Sequence, residues 1–224
     1  MQSDFADVFN TSPNSKPSYI ARQFKYSLSA LKTDYIDLYY QHRVDPEVSI
    51  EVVLETLRPY VESGQIRWLG LSECSAATLK RAKAVKGIGE KVVVVQMEFS
   101  PFELEIEKSG FVDVVNEAGI AIVAYSPLSR GLVTGKYVLH RFWFIQTLDF
   151  LLLFFNDFGR YRSASDFDAN DLRRHFPRFS EENFPKNLKV VEKLRVIADK
   201  YNATTSQVAL AWILTEHPNC SSLR

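Results

Sequence analysis

A parallel α/β fold, read as part of a (β/α)8 TIM-type barrel, is what the sequence predicts, and two observations carry it. Strand-like runs begin near residues 35, 66, 92 and 120, at intervals of 31, 26 and 28, with amphipathic helical stripes between them. One run, Val92-Val93-Val94-Val95, is continuously apolar, which suits a strand covered on both faces. A doubly wound nucleotide-binding sheet is expected to carry G-x-G-x-x-G after a strand, and none occurs. The closed barrel is therefore preferred. Eight units of roughly 28 residues would consume about the whole chain, yet about four strands are evident, so the barrel is expected to be partial.

Residues 1–16 are polar and rich in Ser, Asn and Pro, and are expected to form a flexible tail, with 17–224 as one partial barrel. From Pro17, tolerated at a first helical position, Ile20, Phe24, Leu28 and Leu31 recur at helical spacing. The β-branched and aromatic run Tyr35 to Tyr40 then stops at the polar cluster Gln41-His42-Arg43. Ile50, Val53, Leu54, Leu57, Tyr60 and Val61 form a second helical stripe closed by Gly64, which Pro59 is expected to kink. Ile66 to Leu71 is the next strand, and a short helix from Ser75 carries Leu79, Ala82 and Val85 ahead of the valine strand. Phe111, Val112, Val114 and Val115 mark a helix, and Ile120 to Tyr125 the fourth strand. Two helices follow, one with Leu188, Val191, Leu194, Ile197 and Ala198, the other with Val208, Ala209, Ala211 and Trp212. Thr204 and Gln207 fit a capping box for the latter, and no further strand is evident.

Composition narrows the function classes. Lys plus Arg and Asp plus Glu are both 27, so no basic footprint for nucleic acid or an acidic membrane is present. Hydrophobics at 46% with 13% aromatics bury enough surface to exclude disorder over most of the length. The two cysteines, Cys74 and Cys220, make neither a disulfide framework nor a metal cluster, which fits a reducing, cytoplasmic compartment. With no partner His set beside them by sequence, both are read as inert. The N-terminus lacks a basic and apolar leader pattern. The apolar run Phe142 to Phe155 spans 14 residues and is broken by Gln146 and Asp149, where a membrane helix needs about 20 residues. It is read as not spanning a membrane.

In such barrels functional groups sit at the C-terminal ends of strands. Those ends read Gln41-His42-Arg43-Val44-Asp45, Ser72-Glu73-Cys74, Gln96-Met97-Glu98 and Tyr125-Ser126-Pro127-Leu128. Taken singly, His42 is a structural histidine, Gln96 a capped strand end and Tyr125 a core aromatic. Tyr39 and Tyr40 read as barrel core, and Lys80 to Lys86 as a solvated helix face.

Four segments in order change that reading: Asp34 to His42, Ile66 to Glu73, Gln96 to Ser100, and Ala124 to Leu128. Together they resemble the aldo-keto reductase family. The run Ser126-Pro127-Leu128-Ser129-Arg130-Gly131-Leu132-Val133-Thr134-Gly135 is similar to the branch holding fungal pyridoxal reductases, perakine-reductase-like enzymes and potassium-channel beta subunits. The resemblance covers 17–137 closely and 161–214 more loosely.

It implies NADPH-dependent reduction of a small-molecule aldehyde or ketone. His42 would orient the carbonyl, while Ser72, Gln96 and the neighbouring Glu73, where many relatives carry Asn, would hold the nicotinamide carboxamide. Tyr125 would stack on the nicotinamide ring. Ser126, Pro127, Leu128 and Gly131 would lie along the pyrophosphate, and Lys136 would neutralise phosphate charge. These residue types suit the chemistry, because hydride transfer needs a flat aromatic face and amide partners that orient the ring, and a neutral histidine can donate to a carbonyl as charge develops on oxygen.

The chain also departs from the family pattern. An Asp, a Tyr that protonates the carbonyl oxygen and a Lys are expected upstream of the histidine segment, and the 41 residues before His42 hold no such set. A positioned proton donor contributes about 10²- to 10⁴-fold, so impaired reduction is expected, with an inactive nucleotide-binding regulatory or interaction module as the alternative. The eighth strand and the basic loop that grips the adenosine 2′-phosphate are also missing after Trp212. The chain is accordingly read as truncated at both ends, with open sheet edges that favour oligomers or aggregates. Finally, Val138 to Arg160 form an atypical Phe/Leu-rich insertion, read as translated intron sequence or, alternatively, a hydrophobic loop.

Overall fold

The computed structural model describes residues 12–134, 164–218 and 220–222. The insertion 138–160, its apolar run and Lys136 lie outside the described residues. In chain order the helices are α1 (Pro17–Leu31), α2 (Ile50–Glu62), α3 (Ala76–Ala84), α4 (Glu105–Lys108), α5 (Phe111–Glu117), α6 (Phe184–Lys200) and α7 (Thr205–Glu216). The strands are β1 (Ile36–Gln41), β2 (Ile66–Ser72), β3 (Val92–Glu98), β4 (Ala121–Tyr125) and β5 (Cys220–Ser222). They form one sheet in the order β1-β2-β3-β4-β5, and β1–β2 and β2–β3 pair in parallel. Among the described residues, no helix is long and apolar enough to cross a membrane.

The four strands read from the sequence are present. β5 is an addition to that reading: its three residues are too few to show a period-2 pattern, and it is a strand because β4 pairs with its backbone. The chain divides into two compact units, one built on 12–98, 105–124 and 220–221, the other on 99–104, 125–134, 164–218 and Ser222.

In the first unit, α1 buries Ile20 and Phe24 while Leu31 stays exposed, so its apolar stripe ends a turn early. The Phe24 ring meets Tyr39 edge-on at 5.4 Å and Tyr60 at 4.5 Å. Burying such a ring contributes roughly 1.5–3 kcal/mol, which fastens α1 and α2 to one face of β1. Tyr40, the next residue, must point to the opposite face. Of the two tyrosines, therefore, only Tyr40 faces away from the helices. α2 runs on through Pro59 to Glu62, and Ser63 N–H donates to the Pro59 carbonyl at 3.0 Å. α3 starts at Ser75, whose hydroxyl accepts from Thr78 N–H at 3.1 Å. It buries Leu79 and Ala82 and turns Lys80 and Arg81 to solvent.

The second unit has its own core, built from Leu132, Phe167, Phe179, Phe184 and Val191. Phe167 and Phe179 meet edge-on at 5.4 Å, the favoured geometry for aromatic quadrupoles. α7 is closed at its start by the capping box foreseen from Thr204 and Gln207.

Candidate active site

Parallel pairing aligns the ends of β1, β2 and β3 on one edge of the first unit's sheet. Gln41 pairs with Leu71, and Ser72 pairs with Gln96. In-register residues of adjacent parallel strands share a face, so Ser72 and Gln96 project side by side.

The turn after β1 is pinned by a buried carboxylate. Asp45 is 5% exposed and accepts from Ser15 N–H at 2.7 Å and from Glu47 N–H at 2.9 Å. Gln41 Nε2 donates to Ser15 Oγ at 3.1 Å, tying the segment before α1 to the same end of the sheet. His42, between these anchors, keeps an exposed side chain. Arg43 follows, with Nη1 donating to the His42 carbonyl at 2.7 Å and to Ser72 Oγ at 3.0 Å.

Ser72 is 2% exposed. The next residue, Glu73, sits at φ 52°, a left-handed conformation that Asn and Gly tolerate better than Glu. Its backbone N–H donates to the Gln96 carbonyl at 3.1 Å, and its Oε1 accepts from Glu98 N–H at 2.9 Å. These two bonds stitch the end of β2 to the end of β3 and offset the local strain. Cys74 is buried, and burial foremost, with a smaller contribution from the Glu73 charge, pushes its thiol up to about 12. Burial also raises Cys220. Both thiols therefore stay protonated at neutral pH and are poor nucleophiles, as expected from the sequence.

In the second unit, Tyr125 is half-buried, and its carbonyl accepts from Phe99 N–H at 3.3 Å. The chain then turns sharply, with φ of 51° at Ser126, 53° at Ser129, 57° at Arg130 and 92° at Gly131. Pro127 is buried and Leu128 half-buried. Ser129 N–H donates to the Ser126 carbonyl at 2.8 Å, and Gly131 N–H to the Leu128 carbonyl at 3.0 Å. The turn is anchored from below by two buried serines, Ser129 Oγ donating to Ser100 Oγ at 2.8 Å. Arg130 lies over the Phe176 ring at 4.2 Å.

The structure thus groups His42, Ser72, Glu73 and Gln96 in the first unit and Tyr125, Ser126, Pro127, Leu128 and Gly131 in the second. Three features escaped the sequence reading: the Arg43 bridge, the Ser100–Ser129 pair and the Ser15–Asp45 anchor. Arg43 and Asp45 lay inside the polar cluster at the end of β1, so the residues were visible but their partners were not.

The Gln96 side chain is half-buried, next to Ser72, and hydrogen-bonds no protein group among the described residues. A primary amide offers both a carbonyl and an NH2, the complement of another primary amide. Ser72 adds a hydroxyl. These groups fit the carboxamide of a nicotinamide.

A model described as the aldo/keto reductase family matches residues 8–223. The chain belongs to that family. The aldo-keto reductase str7 of Strobilurus tenacellus is 43% identical over 204 residues, which cover 90% of this chain and 52% of that protein. The aldo-keto reductase yakc [NADP(+)] of Schizosaccharomyces pombe is 41% identical over 205 residues, 91% of this chain and 52% of its own. The solved glycerol dehydrogenase AKR11B4 from Gluconobacter oxydans superposes with a TM-score of 0.73 at 25% identity, over 94% of this chain and 55% of that one. This aldo-keto reductase chain spans about half the length of the curated relatives it matches. Its parallel strands and helices are those of the family's TIM barrel.

Proposed function

We propose that this aldo-keto reductase chain contributes to NADPH-dependent reduction of aldehydes or ketones to alcohols. The observation that carries the reading is the in-register pair Ser72 and Gln96, with the Gln96 amide unengaged, on the sheet edge that also carries His42. A relative bearing NADP(+) in its name supports the choice of cofactor. A bound nicotinamide dinucleotide supplies the hydride. Ser72 and Gln96 hold its carboxamide, with Glu73 bracing the end of β3 beside them. By the family pattern, Tyr125 stacks on the ring, and Ser126, Pro127, Leu128 and Gly131 follow the pyrophosphate. Exposed at the end of β1, His42 donates a hydrogen bond to the substrate carbonyl and steadies charge as it grows on oxygen.

Upstream of His42, these 224 residues carry no Asp, Tyr and Lys set of the family pattern. Taken alone they should bind nucleotide and reduce carbonyls slowly. The test is NADPH consumption with a panel of aldehydes, by the chain alone and by a chimera in which the N-terminal strands of the Strobilurus relative precede Pro17. Little turnover is expected from the first. The chimera should be active, and His42→Ala should lower its kcat by about 10²-fold or more. Full activity of the His42→Ala chimera sinks the role given to His42. Nucleotide binding with no turnover in either form favours a regulatory module.

A further inference from the structure

We propose that Arg43 is a positioning residue that aims the Ser72 hydroxyl, as a hydrogen-bond donor, at the nicotinamide carboxamide. The inference rests on the nicotinamide-dinucleotide reading above. A single nitrogen, Nη1 of Arg43, donates to the His42 carbonyl at 2.7 Å and to Ser72 Oγ at 3.0 Å. A serine hydroxyl has one hydrogen and two lone pairs, and its hydrogen rotates to suit the surroundings. Guanidinium is donor-only and permanently charged. With one lone pair engaged by Arg43, the Ser72 hydrogen turns away from the guanidinium. Ser72 is 2% exposed, so the packing around it holds its side chain in place. Its in-register neighbour on β3 is Gln96, whose amide is also open to a ligand. A carboxamide set against both residues accepts at its oxygen from Ser72 and exchanges hydrogen bonds with Gln96. Because Arg43 also grips the His42 carbonyl, one planar group joins the backbone that carries the carbonyl-orienting side chain to the hydroxyl that orients the cofactor.

The test compares two ligands by equilibrium titration of the full chain: NADPH, and 2′-phospho-ADP-ribose, which keeps the adenosine and pyrophosphate but has no nicotinamide. Arg43→Met should weaken NADPH about tenfold, the equivalent of about 1.4 kcal/mol, and leave 2′-phospho-ADP-ribose within about twofold. Arg43→Lys, which keeps the charge but not the rigid fork, should recover only part of the loss. In a Ser72→Ala background the effect of Arg43→Met should vanish, because Arg43 acts through that hydroxyl. Losses that simply add, or equal weakening of both ligands, overturn the inference. An unaltered chain that binds 2′-phospho-ADP-ribose as tightly as NADPH overturns it too, while leaving dinucleotide binding intact. Failure to bind either ligand overturns the dinucleotide reading, and this inference with it.

Discussion

At the scale of single residues, Gly70 shows how close packing beside the site limits the sequence. It lies mid-strand on β2, in register with Tyr40 on β1, and on the same face as Ser72 two residues on. A Cβ placed there would overlap the Tyr40 ring and come within 2.9 Å of Val94 Cγ1. Neither neighbour is the far end of a flexible chain, so relief would require the ring to swing off the sheet. Gly70→Ala should therefore destabilise the protein by roughly 1–3 kcal/mol, the usual cost of overpacking. Denaturant melts of Gly70→Ala and of Gly70→Ala with Tyr40→Ala check this. The second change should recover part of the loss if the ring is the obstacle, and no recovery would place the strain elsewhere. Tyr40 was readable as a strand residue, but its role as the lid over Gly70 depends on the β1–β2 register.

Among the elements, helices were the most legible, because caps and apolar spacing are local. The capping box of α7 is complete: Thr204 Oγ1 accepts from Gln207 N–H at 3.2 Å, and Gln207 Oε1 accepts from Thr204 N–H at 2.8 Å. Thr204→Ala leaves the Gln207 N–H without its acceptor and should cost about 1 kcal/mol, whereas Thr204→Ser should cost only a few tenths. Equal melting of the two variants would show that the box is idle. Pro59 instructs in the other direction. Pro59 removes one N–H donor from the helix, yet α2 continues to Glu62. Leu54 and Leu57 are buried, and burial of that stripe outweighs one missing hydrogen bond.

For the whole molecule, the sheet order leaves β1 as an edge strand among the described residues. Beside that edge, Leu38 and Trp68 are in register on one face and remain 37% and 45% exposed. Unpaired strand edges next to apolar side chains are templates for association. The 224-residue chain taken alone should therefore self-associate, with light scattering after size exclusion reporting a mass above that of one chain. Leu38→Lys should shift it toward monomer, since a charge on an edge strand opposes pairing. A monodisperse monomer of the unaltered chain would show that this edge is covered.

By itself the sequence determined the alternation of strands and helices, the polar clusters at the strand ends and the family that those clusters mark. The physical reason is that period, capping and turn chemistry act over a few residues and leave their imprint in order along the chain. Only the tertiary structure decided which of those groups touch. The register of β2 on β3 sets Ser72 beside Gln96, and the turn after β1 brings Arg43 onto Ser72, 29 positions away. Glu73 is held in a left-handed conformation by the neighbouring strand's backbone, and β5 is a strand because β4 pairs with it. Contacts between residues this far apart in the chain are set by strand pairing and burial, and no spacing within a single segment encodes them.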